Sequence, residues 1–210
     1  MIYKDRIEAA NLLAIKLQAY KNENAIILAI PRGGVPLGHI VAKELNLPLE
    51  VVLSKKIGHP LQKEYAIGAV TLKSRILSDV AKDVSPSYIE EETKRIRELL
   101  AQRYKDYYGT KTPVDLKDKV LIIIDDGIAT GNTIISTIEM LQEEQPKKIV
   151  VAIPVSSQSA LQKLKDTPFV DQVVCLSAPS DFRAVGQFYK YFDQVDDAEV
   201  KTLLNKHMVN

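Results

Sequence analysis

The sequence predicts an α/β domain built on a mostly parallel sheet, and three observations carry that prediction. Apolar, branch-rich runs of strand length recur at Asn24 to Ile30, Leu49 to Leu53, Val120 to Ile124, Ile149 to Pro154 and Val170 to Leu176. The central run has no polar break, as a strand buried on both faces requires. Stretches with apolar residues at helical spacing separate most of these runs, and a strand–helix–strand order gives parallel strands with right-handed crossovers. At 210 residues the chain suits a single domain over 1–210. Its core spans about 24–177, and a closing segment from about 178 to 210 joins the N-terminal segment as an outer cover.

Taken in order, Asp5 to Tyr20 is the first predicted helix. Ile7, Leu12, Leu13, Ile15 and Leu17 gather mostly on one side, and Asp5 stands at the N-cap position. Asn24 to Ile30 follows as a buried strand and runs into Pro31, Arg32, Gly33, Gly34, Val35 and Pro36. Two glycines after an arginine let backbone approach an anion closely while the guanidinium binds it bidentately; a plain strand-to-helix turn would use the same residues. Leu37 to Asn46 is a helix and Leu49 to Leu53 a strand. From Ser54 to Glu64 the chain is polar and holds Gly58 and Pro60, which predicts a connecting loop bearing Lys55, Lys56, His59 and Lys63. Tyr65 to Thr71 and Arg75 to Leu77 form a short hairpin turned at Leu72–Ser74.

Ser85 and Pro86 start the next helix, an N-cap followed by proline at the first helical position. It runs to about Tyr107, supported by Glu90/Lys94 and Glu91/Arg95 pairs, and carries no assigned chemistry. Gly109, Thr112 and Pro113 end it. Ser159 to Lys165 is a later helix. The closing segment is dense in aromatic residues: Phe182, Phe188, Tyr189, Tyr191 and Phe192. Such rings can stack on a flat base, and for most of them packing of the extension onto the domain is the simpler role.

Composition narrows the function. A net charge of +1 argues against bulk electrostatic binding to nucleic acid. The one cysteine, Cys175, rules out an internal disulfide and sits in an apolar run, the setting of a buried structural thiol. The N-terminus lacks the apolar core of a signal peptide, and no apolar run approaches the roughly 20 residues of a membrane span, so a cytoplasmic location is expected.

The chemistry concentrates in VLIIIDDGIATGNTI, Val120 to Ile134. Five apolar residues stop at adjacent carboxylates, Asp125 and Asp126. Gly127, Ala129, Thr130, Gly131, Asn132 and Thr133 then lead into a helix marked by Ile134, Ile135, Ile138 and Leu141. Amides and hydroxyls of such a loop hold a phosphate at a helix N-terminus, while the carboxylates accept sugar hydroxyls or face a divalent cation. Glycine turns and paired aspartates are each ordinary in α/β domains. The complete order of strand, acids, loop and helix is what sets this stretch apart.

That string resembles the phosphoribosyl diphosphate (PRPP) signature of type I phosphoribosyltransferases: a hydrophobic strand, two acids and a loop ending Thr-Gly-x-Thr. Pro31 to Pro36 matches the position of the family's pyrophosphate loop, where members often hold a non-proline cis peptide; Pro31–Arg32 and Arg32–Gly33 are the candidates. The resemblance implies the type I fold, with a mobile flap at Ser54–Glu64, an inserted helix and a C-terminal hood. The stretch Phe182 to Tyr189 further resembles a largely uncharacterised subgroup whose hood reads Phe-x-Ala-Val-Gly-x-x-Tyr.

The implied activity is Mg²⁺-dependent transfer of ribose 5-phosphate from PRPP to a nitrogenous base, releasing diphosphate. Asp125 and Asp126 would bind the ribose hydroxyls, directly or through magnesium-bound water. The loop from Gly127 through Ala129 to Thr133 would hold the 5-phosphate, and Arg32, Gly33 and Gly34 the diphosphate. Lys56, with Lys55 and Lys63, would reach diphosphate oxygens, and Glu64 is the candidate general acid or base. Members acting on 6-oxopurines carry aspartate where this chain has Ala129, a departure that puts guanine and hypoxanthine in doubt. A homodimer is the family default. The competing readings are a non-catalytic sensor of PRPP or a nucleotide on the same fold, a dinucleotide oxidoreductase, which lacks its G-x-G-x-x-G here, and an aspartate-nucleophile phosphatase, which would want spaced acids.

Overall fold

In the computed structural model, which describes residues 2–63 and 65–208, strands and helices alternate around a five-stranded parallel sheet of order β2-β1-β6-β7-β8. Its strands are β1 (Ala25–Ala29), β2 (Leu49–Val51), β6 (Val120–Ile124), β7 (Lys148–Val155) and β8 (Gln172–Ser177). β3 (Ser54–Gly58), β4 (Ala66–Thr71) and β5 (Arg75–Leu77) make a separate antiparallel sheet. The helices are α1 (Arg6–Lys16), α2 (Gly34–Leu45), α3 (Pro86–Tyr108), α4 (Asn132–Gln142), α5 (Gln158–Asp166) and α6 (Asp197–Met208). The described part matches the type I phosphoribosyltransferase architecture that the sequence suggests.

Every residue of β1 and β6 is buried, because successive side chains point to opposite faces and both faces are covered. Ile27, Ala29, Ile122 and Ile124 pack with Leu13 of α1 and Leu37 and Val41 of α2. Ile26, Leu28, Leu121 and Ile123 pack with Ile134 and Ile138 of α4 and Leu164 of α5. Fully burying one such branched side chain contributes about 1.5–3 kcal/mol, against a strand-propensity scale spanning about 1 kcal/mol. Two-sided burial therefore fixes these strands more than propensity does.

Three differences from the sequence reading have physical causes. Ser54–Gly58, expected as loop, is strand β3, because Ile57 is fully buried and Lys55 and Lys56 face solvent on an antiparallel pairing with β4. The Glu90/Lys94 and Glu91/Arg95 pairs do not form. Glu90 instead pairs with Arg75 of β5 at 2.6 Å, and Arg95 bonds Glu92 one turn away, so tertiary and closer partners win. The sequence reading also left α6 within the hood. Asp196 caps it by accepting the Glu199 amide at 2.8 Å, and Val200 and Leu204, one turn apart, are fully buried.

The cover comes from both ends of the chain. Tyr3 bridges Tyr189 in parallel, with its amide on the Phe188 carbonyl at 2.8 Å and its own carbonyl receiving the Lys190 amide at 2.8 Å. The Tyr3 hydroxyl, deep in the core, donates to the Pro154 carbonyl at 2.7 Å. Phe182 stacks on Phe188, and Tyr189 on Phe192, so most of the aromatic density is packing. Cys175 is half-buried, its thiol donating to the Ser177 carbonyl, and burial pushes its pKa up. Among the described residues no helix is long and apolar enough to cross a membrane.

Candidate active site

The loops after β1, β6 and β7 meet at the carboxyl edge of the sheet, where ligands of open α/β folds bind. After β1, Ile30 donates its amide to the Ile124 carbonyl at 2.9 Å, tying the loop to the end of β6. The Pro31–Arg32 peptide is cis. A side chain at Gly33 would put its Cβ 2.1 Å from Asp126 Oδ2, and one at Gly34 would sit 2.5 Å from the Ile124 carbonyl. Only glycine lets this loop lie against the acids.

The loop after β6 is pinned to the end of β7. Ile128 donates to the Val155 carbonyl and Ser157 to the Ile128 carbonyl, each at 3.0 Å, while the Ser157 hydroxyl donates to the Ala129 carbonyl at 2.6 Å. Gly131 takes φ +79°, the left-handed region glycine tolerates, and no side chain caps α4 behind it. The amides of the first turn thus stay open for an anion. Asp125, Gly127, Ala129, Thr130, Gly131 and Thr133 contribute to a cavity of about 120 Å³ there. Asn132, the first residue of α4, is exposed at its rim.

The two acids part company at the strand end. Asp125 faces this first cavity, and its Oδ1 accepts the Asp126 amide at 2.9 Å. Asp126 faces a second cavity of about 350 Å³, bounded by Arg6, Arg32, Gly33, Phe192 and Asp193 among others. Its Oδ2 accepts two bonds from Arg6, Nε at 3.0 Å and Nη2 at 2.8 Å. Burial and then the neighbouring Asp126 charge push the Asp125 carboxyl well above the usual range. Burial also raises Asp126, with the Arg6 guanidinium pulling against it.

Arg32 is exposed and reaches only a loose 3.9 Å pairing with Asp197 at the start of α6, which leaves its guanidinium available to a ligand. Asp197 in turn accepts the Tyr107 hydroxyl, a bond that lowers its carboxyl pKa. The flap lysines stand apart. Neither cavity is lined by Lys55, Lys56 or Lys63, and Lys63 donates instead to the Tyr88 hydroxyl at 2.8 Å. The Glu64 assignment lies outside the described residues. Sequence reasoning passed over Arg6 and Ser157, and it counted Phe192 only among the aromatic residues of the closing segment. Neither of the first two carries a local signal of its role: Arg6 is an arginine in the first turn of α1, and Ser157 is the N-cap of α5.

A family model described as a phosphoribosyl transferase domain matches residues 2–192. The chain belongs to that family. As a phosphoribosyltransferase domain it is similar to a Mycobacterium tuberculosis protein named, provisionally, as a phosphoribosyl transferase. The two are 32% identical over 212 residues, which covers 98% of this chain and 47% of the relative. The chain thus spans about half the length of that relative. A uracil phosphoribosyltransferase from Mycoplasma genitalium is 35% identical over 65 residues, 30% of this chain and 32% of its own length. A crystal structure from Thermus thermophilus superposes on this phosphoribosyl transferase domain with a TM-score of 0.85 at 36% identity, covering 98% of this chain and 99% of that one.

Proposed function

We propose that this domain transfers ribose 5-phosphate from PRPP to a nitrogenous base with release of diphosphate. The observation that carries the reading is the adjacent acid pair flanked by two anion-ready loops. The uncapped α4 N-terminus lies on the Asp125 side, and the Arg32–Gly33–Gly34 loop lies on the Asp126 side. A ligand with a phosphate at one end, a diphosphate at the other and a pentose between them matches that order.

In this reading the amides and hydroxyls from Gly127 through Ala129, Thr130, Gly131, Asn132 and Thr133 orient the 5-phosphate. Asp125 and the Oδ1 atom of Asp126 accept ribose hydroxyls. As the ring carbon loses its bond to diphosphate, positive charge grows on the sugar and the carboxylates stabilise it. Arg32 and the glycine loop receive the departing diphosphate, with Lys56 swinging in from β3. Glu64 exchanges the proton with the base.

Magnesium fits these residues only as a substrate-borne ion. Arg6 already occupies Asp126 Oδ2, and among the described residues no three acidic, histidine or cysteine side chains cluster as a cage. Asp125 and Asp126 would hold it through water, and bound with PRPP it would neutralise diphosphate charge. Homodimerisation and a cytoplasmic location complete the proposal.

The deciding experiment is a screen of purine and pyrimidine bases against PRPP and Mg²⁺ with diphosphate release as readout. One base giving release that disappears in Asp125→Asn supports the reading. Tight PRPP binding with no release for any base would make the domain a sensor, and no PRPP binding at all would sink both.

A further inference from the structure

The geometry points to Arg6 as a positioning residue that locks the hood segment 188–193 onto the acid pair and sets PRPP affinity by acting through Asp126. Three of its N–H directions are spent within the protein: Nε and Nη2 on Asp126 Oδ2, and Nη1 on the Asp193 carbonyl at 2.8 Å. Its planar face lies 4.0 Å from the centroid of Phe192, itself stacked on Tyr189. The Tyr189 hydroxyl closes the loop by donating to the Asp126 carbonyl at 2.6 Å. Arg6 and Asp126 side chains are only 12% and 13% exposed, so water competes weakly for either.

One guanidinium therefore joins the first turn of α1, the hood and the strand end that bears the acids. With Oδ2 taken by the guanidinium, Oδ1 is the oxygen left to a ligand, and the Asp126 rotamer is fixed before any ligand arrives. Lysine would keep the charge without the fork that spans Asp126 and the Asp193 carbonyl. Only the affinity half of this inference rests on the proposed function; the locking half does not.

The test uses the full chain as wild type, Arg6→Lys, Arg6→Ala, Asp126→Asn and the Arg6→Ala/Asp126→Asn double variant. Two readouts apply: amide hydrogen exchange across 188–193 without ligand, and calorimetric binding of PRPP with Mg²⁺. Arg6→Ala should speed exchange and weaken PRPP binding by about tenfold each, the scale of lost charged hydrogen bonds. Arg6→Lys should fall between, and it reports on the lock even if the alanine variant folds poorly. In the Asp126→Asn background, Arg6→Ala should add nothing further to the loss of PRPP affinity, while it still speeds exchange through the lost Asp193 and Phe192 contacts.

Unchanged exchange in Arg6→Ala and Arg6→Lys would overturn the lock. Faster exchange with unaltered affinity would reduce Arg6 to a structural tie and overturn the positioning role. Additive losses of affinity in the double variant would mean that Arg6 acts without Asp126. If wild type binds no PRPP, the functional reading fails, while the exchange measurements still decide the lock.

Discussion

Asp125 is held in an environment that disfavours its charge. Burial is the larger cause and the adjacent Asp126 the next. A carboxyl raised in the folded state begins to cost stability as pH rises past its ordinary unfolded value, costs most above its folded pKa, and costs nothing once falling pH protonates it in both states. Asp125→Asn should therefore raise the melting temperature at pH 8. Each kcal/mol relieved is worth about 2–4 °C in a chain of this size. The gain should shrink towards zero in acid, as differential scanning calorimetry would register, while diphosphate release disappears at every pH. Asp126→Asn is a different experiment, because it strands the Arg6 guanidinium. The sequence exposed the acid pair plainly, since both residues follow an unbroken apolar run. It hid their unequal roles, because the residue that separates them lies 120 positions away.

At the level of elements, the loop after β6 depends on its neighbour strand. Ser157 both caps α5, accepting the Ala160 amide at 3.1 Å, and holds the Ala129 carbonyl. Ser157→Ala should cost about 1 kcal/mol through the lost cap. It should also weaken PRPP binding severalfold by loosening the loop, an effect that Ser157→Thr should largely spare in the same titration. α6 offers a second case. His207 of α6 lies edge-on to His39 of α2, with ring centroids 5.9 Å apart and its Nε2 atom 2.9 Å from the Leu47 carbonyl.

Burial first, then nearby cations, lower both imidazoles; His207, Lys43 and Lys206 act on His39, and Lys111 acts on His207. Backbone bonds at Leu203 and Leu47 oppose those shifts. Histidines lowered in the folded state contribute stability above their unfolded value near 6.5, and that contribution is lost as pH falls below it. Melting temperature should drop as pH falls below about 6.5, and the drop should be smaller in His39→Gln/His207→Gln. α6 was legible in principle from Asp196, Glu199, Val200 and Leu204. The aromatic run before it drew the reading towards an irregular hood. β3 was obscured differently: its outward lysines mimic a loop, and the buried Ile57 alone betrays a strand.

Across the whole molecule, the sheet and its two loops were readable because buried parallel strands leave long apolar runs and glycines must stand where backbone meets carboxylate. A shared outer cover of the two ends was expected, but the residues that join them were not readable, since no local pattern encodes a contact between residue 3 and residue 189. Tyr3 carries that union. Tyr3→Phe should lose about 1 kcal/mol with the bond to the Pro154 carbonyl. Tyr3→Ala should lose about 3–5 kcal/mol, the range for an aromatic removed from a core. Urea titration separates the two, and similar midpoints for both variants would show that the ring contributes little.

The meeting of the two ends also orders the protein's birth. Arg6 leaves the ribosome before any of the five parallel strands is made, and Phe192 and Asp193 emerge after the last of them. A nonsense codon falling soon after Ser177 would therefore yield a chain with its entire central sheet but no clamp over its acids. Such a product would be a shell with the right architecture and an unfinished workplace.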